Sequence, residues 1–93
     1  MLHPKLKVIY EKELEFFKQE YNREQSINLK EILAIRIKEL ELELEEKLTD
    51  DIHNMFMSLL YILKNQSYRD SVIPWYKYQE KKTTFCKKFN LTY

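Results

Sequence analysis

The sequence predicts an all-α protein, a small three- to four-helix bundle, and three observations carry that prediction. Gly is absent from all 93 residues, where average usage of about 7% predicts several. Glycine serves tight hairpins and left-handed backbone positions. Its absence argues against a β-meander and against a glycine-rich phosphate loop. Apolar residues recur at three- and four-residue spacing along most of the chain, the period of an amphipathic helix. The two prolines, Pro4 and Pro74, each precede such a pattern, where a missing N–H costs nothing.

The 93 residues suffice for one domain, read as 1–93, and the 44% apolar content is enough to build a core. Helices are predicted at about 4–21, 28–48, 50–64 and 74–89. In the first, Leu6, Tyr10, Leu14, Phe17 and Tyr21 form the stripe, widened by Ile9 and Phe16, and Asn22 is the expected stop. In the second, Asn28 and Glu31 resemble a capping box, and Leu29, Leu33, Ile37, Leu40, Leu44 and Leu48 form the stripe. A β reading of the alternating leucines fails because its phase slips at Lys38 and Glu39, which would turn a strand inside out.

Thr49, Asp50 and Asp51 give the clearest helix start, a capping hydroxyl followed by two carboxylates at the positive end of the helix dipole. Ile52, Met55, Phe56, Leu59, Leu60 and Leu63 then recur at helical spacing, and Met57, Tyr61 and Ile62 make the segment apolar on most sides. At 12 residues the run 52–63 is too short to cross a bilayer, which takes about 20. It therefore reads as the central, buried helix of the bundle, ending near Lys64 with Asn65 as its cap. Trp75, Tyr78, Phe85 and Phe89 make an aromatic stripe in the fourth helix, and residues 83–93 compete between helix and an extended tail.

Net charge is only +1, but it is segregated. Residues 38–51 carry seven acids against Lys38 and Lys47, net −5, and residues 64–93 carry seven bases against Asp70 and Glu80, net +5. Opposite charges of this kind meet within one fold, steer association between chains, or, in the basic aromatic segment, combine phosphate contacts with base stacking.

No motif names a reaction. His3, His53 and the single Cys86 complete no ligand set, so no metal and no cofactor are expected. Ser58 and His53 are five apart on one helix and do not face each other. The acids of the second helix read as a solvated face, so the chain is read as a non-enzyme. Tyr10-Glu11-Lys12-Glu13-Leu14 resembles the opening helix of a type VI secretion baseplate protein over those five residues, a generic amphipathic pattern that assigns no family.

The expected function is a non-enzymatic protein–protein interaction module, a small inhibitor or adaptor. The Lys-, Ile-, Asn- and Tyr-rich composition suits an AT-rich phage or mobile element. The expected partner is another protein or a second copy. The candidate contact residues are Ile35, Glu39, Glu41, Leu42, Glu43 and Glu45 on the second helix, and Trp75, Tyr76, Lys77, Lys81, Lys82 and Lys88 on the fourth. The alternatives are a nucleic-acid-binding module using the basic aromatic segment and a self-associating structural subunit. One cysteine and no apolar leader suit the cytoplasm.

Overall fold

The computed structural model describes residues 2–70 and 73–89. Four helices follow one another: α1 Pro4–Arg23, α2 Ile27–Leu44, α3 Asp50–Asp70 and α4 Ile73–Lys88. No strand occurs among the described residues. The short links at 24–26 and 45–49 make neighbours antiparallel, as in other helix bundles.

The starts of the helices follow local chemistry. Pro4 opens α1, and His3 caps it with Nδ1 accepting from the Lys5 N–H at 3.1 Å. The helix runs past Asn22 to Arg23, and Glu24 is the cap. The capping box expected from Asn28 is not used: α2 starts one residue earlier, and Ser26 Oγ accepts from the Leu29 N–H at 3.3 Å. Ser26 stands three residues before the first buried leucine, the register a serine cap needs. Thr49 caps α3 as expected, accepting from the Ile52 N–H at 3.2 Å.

Two ends depart from the expectation. α2 stops at Leu44, not 48, because Glu46 turns into the left-handed region at φ 57°. The Glu46 and Lys47 N–H groups then reach back to the Glu43 and Leu42 carbonyls at 3.0 and 2.9 Å. This closing turn ordinarily takes glycine, and the chain has none. With both side chains truncated, Glu46→Gly is expected to be more stable than Glu46→Ala by about 1 kcal/mol, read as a shift in urea midpoint. α3, in turn, runs six residues past Lys64 to Asp70. Asn65 is a weak helix former, but no glycine or proline stands there to break the turn. The fourth helix lies where it was expected, and its stripe faces inward: Tyr78 and Phe85 are buried, Trp75 and Phe89 half-buried. Residues 90–93 of the expected tail lie outside the described residues.

The core is centred on α2, which packs against α1, α3 and α4. Leu29, Ile32, Leu33 and Leu40 of α2 are buried with Phe17 of α1 and Tyr78 of α4. Phe16, Phe17, Tyr78 and Phe85 interlock across α1 and α4, with ring centroids 5.3–6.5 Å apart, the range in which aromatic pairs attract. The expectation that residues 50–64 form the buried central helix is therefore corrected. The segment is helical, but of its apolar residues only Phe56 is buried; Met55, Met57, Leu59, Tyr61 and Ile62 are exposed. Its apolar residues surround the helix, and the neighbours it packs on are α2 and α4.

Candidate functional site

Two features of α2 position everything around α3. The first is an ion cluster in the core. Glu13 of α1 and Glu39 of α2 are 1% and 6% exposed, and the Arg36 guanidinium lies between them. Arg36 Nε donates to Glu13 Oε1 at 2.9 Å, its second nitrogen lies 2.8 Å from the same oxygen, and a third bonds Glu39 Oε1. Burial alone would lower the Arg36 pKa, but the adjoining Glu13 carboxylate, with Tyr78 and Glu39 adding, raises it above its ordinary value. Glu13 Oε2 and Glu39 Oε2 are buried without a hydrogen bond. His53 Nδ1 of α3 lies 3.4 Å from Glu39 Oε2, close enough for a charge contact but outside hydrogen-bond geometry. The arrangement fixes α1 to α2 and sets the side of α2 on which α3 lies.

Tyr78 packs beside this cluster. Burial, first, and then the nearby Glu13 and Glu39 carboxylates push its hydroxyl up to about 12 from 10.0, against the opposing pull of Arg36. The fold thus favours the neutral phenol. Its contribution is fully present below pH 10.0 and is lost as pH rises through about 12. At 1.36 kcal/mol per unit this is on the order of 3 kcal/mol. Urea melts at successive pH values are expected to steepen in their decline over that window, and Tyr78→Phe is expected to flatten the decline and remove the latest tyrosinate absorbance step. An unchanged profile in the variant would assign the decline to other groups.

The second feature is the seam on either side of α3. On the α4 side, a cavity of about 380 Å³ is walled by Met57, Leu60, Tyr61, Trp75 and Tyr78, with Arg36 and Glu39 at its floor and Lys64 and Lys82 at its rim. Both rim ammonium groups sit over rings, Lys64 at 5.4 Å from Trp75 and Lys82 at 5.5 Å from Tyr78. On the opposite flank, Met55, Leu59 and Ile62 share one face of α3 at i, i+4 and i+7, and they are 53%, 42% and 51% exposed. At about 100° per residue, Ile35 and Leu42 of α2 lie beside Glu39, whose carboxylate meets α3. They therefore border the same flank, half-buried. The result is one apolar strip across two helices.

The other sequence-predicted contact residues separate into different environments. Glu39 is not part of a solvated acidic face: it belongs to the core cluster. Glu41 and Glu43 are half-buried and Glu45 is exposed; Glu41 lies 3.9 Å from Lys18, and Glu45 3.6 Å from Lys47. Trp75 packs against the core, and Tyr76 is 56% exposed. Lys81 ties α4 to α1 through Glu20 at 3.2 Å and Glu24 at 3.9 Å. Lys77 and Lys88 are exposed, Lys88 over the Phe89 ring at 5.6 Å. The basic segment thus turns Tyr78 and Phe85 inward and presents Tyr76.

Sequence reasoning placed Met55, Leu59 and Ile62 in the core and passed over Arg36. Both were open to detection. A helix apolar on all sides needs neighbours on all sides, and a chain with four helices of which one is central cannot supply them. Arg36 stands seven residues after Leu29 and four before Leu40, the phase of the core.

Among the described residues no three His, Cys, Asp or Glu side chains are placed to hold a metal ion, and no helix is long and apolar enough to cross a membrane. Comparison of the chain with known protein families, characterised proteins and solved structures finds no match.

Proposed function

We propose that the protein is a non-enzymatic protein-binding module, an inhibitor or adaptor that works by occupying a surface on another protein. The observation that carries this reading is the apolar strip of Ile35, Leu42, Met55, Leu59 and Ile62. Single exposed apolar residues are ordinary, but a contiguous strip marks a contact surface. Glu39 is spent on the core and is no part of that surface. In the cavity on the other flank, Arg36 is committed to two carboxylates and burial holds the Tyr78 hydroxyl neutral.

A photo-crosslinking residue substituted for Leu59, in cells that express the protein, is expected to yield a discrete protein adduct. The same residue substituted for Lys87, exposed on α4, is expected to yield none, and Ile62→Lys is expected to remove the Leu59 adduct. No adduct at position 59, or equal adducts at both positions, overturns the reading.

A further inference from the structure

We infer that the cavity between α3 and α4 is a binding site for a small aromatic carboxylate, whose ring lies against Trp75 and Tyr78 and whose acid group meets Lys82 at the mouth. This site is on the flank of α3 opposite the apolar strip, and it does not depend on the protein-binding reading. Its volume of about 380 Å³ falls in the range of small-molecule sites, about 300–1,000 Å³. Such sites combine apolar walls with a few polar groups that fix orientation. Here the Trp75 and Tyr78 rings stand 5.5 Å apart between centroids and are tilted by 49°. A third ring packs against such surfaces offset or edge-on. From α3, Leu60 and the pliable thioether of Met57 complete the apolar wall.

Charge selects an acid. The charged residues of the cavity are Arg36 and Glu39 at the floor and Lys64 and Lys82 at the mouth. The floor pair is internally satisfied: Arg36 bonds Glu39 Oε1, and it also holds Glu13. Glu39 Oε2 is buried in the protein and beyond a ligand's reach. Both charges at the mouth are ammonium groups. Lys82 is the sharper case. It is half-buried and lies over the Tyr78 ring at 5.5 Å, and no carboxylate among the described residues pairs with it. Its neighbour Lys81, also half-buried, takes Glu20 at 3.2 Å and Glu24 at 3.9 Å. A carboxylate at the mouth gives Lys82 the kind of partner that Lys81 has within the fold, a charge-assisted contact. The half-buried Gln79 of the same wall adds an amide donor. An ammonium ligand would meet like charges in the same place.

Trp75 is the single tryptophan of the chain, so its emission reports on this cavity. The full chain is titrated with phenylpropanoate and, separately, with phenylpropylamine, which keeps the ring and chain length and reverses the charge. The acid is expected to change the Trp75 emission saturably, with a Kd of about 0.1–1 mM for so small a ligand. The amine is expected to bind about tenfold more weakly or less. Both titrations use the unaltered chain, so they decide the matter whether or not a variant folds. Lys82→Glu is expected to weaken binding of the acid by about tenfold, with helical circular dichroism retained. Lys87→Glu makes the same charge change at an exposed position of α4, and it is expected to leave the affinity within about twofold. No saturable change up to about 10 mM acid overturns the site. Equal binding of acid and amine overturns the charge selection, and equal losses in the two variants overturn the assignment to Lys82.

Discussion

Arg36→Met is expected to destabilise the protein by about 3–5 kcal/mol, because it leaves two carboxylates buried without their counter-charge. A chain of 93 residues at about 0.05–0.15 kcal/mol per residue has about 5–14 kcal/mol in all. The substitution therefore removes a large share of the margin. His53 does not compensate, since its Nδ1 stands 3.4 Å from the one carboxylate oxygen it approaches and reaches only Glu39. The companion experiment separates the worth of the pair from the cost of breaking it. Glu13→Leu, Arg36→Met and Glu39→Leu together are expected to bring stability back to the starting level or above, because the desolvation of all three charges is relieved at once. Urea melts of the two variants and the parent chain decide it. A loss under about 1 kcal/mol for Arg36→Met would mean that the cluster is solvated and the packing of α1 on α2 does not depend on it.

That cluster also shows where sequence reasoning stops. The four helices, Pro4 and Thr49 as starts, and the inward aromatic stripe of α4 were legible, because each depends on local chemistry: a proline at the first turn, a capping hydroxyl, a three-to-four period. The left-handed turn at Glu46 was not, because nothing in a glutamate announces it; the stop is imposed by α3 turning back onto α2. Glu39 was misread because it lies within a run of acids, and composition outweighed phase. It stands seven residues after Ile32 and so falls on the core side of α2. Glu13 stands three after Tyr10 and four before Phe17, on the core side of α1. Periodicity reports which residues share a face, and it does not report whether a neighbour is there to cover that face. For that reason the periodicity points to α3 as the centre, when the centre is α2, which supplies Leu29, Ile32, Leu33 and Leu40 to the buried core.

The same point yields a second prediction with a large effect. Phe17 and Leu59 both belong to apolar stripes in the sequence, and only their neighbours distinguish them. Phe17 is fully buried and meets Phe16, Tyr78 and Phe85 at 5.3, 6.1 and 6.5 Å between ring centroids. Phe17→Ala is expected to cost about 3–5 kcal/mol through lost burial and the cavity left behind, enough to broaden or abolish the cooperative melt. Leu59 is 42% exposed, and Leu59→Ala is expected to cost under about 1 kcal/mol, as surface substitutions do. If residues 52–63 were the buried centre, Leu59→Ala would instead cost about 2–5 kcal/mol, the range for a core leucine. Melts of the two single variants therefore test the placement of α3 directly. A small cost at Leu59 also leaves that position free to be changed in binding experiments, so that a loss of partner contact there reads on the surface and not on the fold.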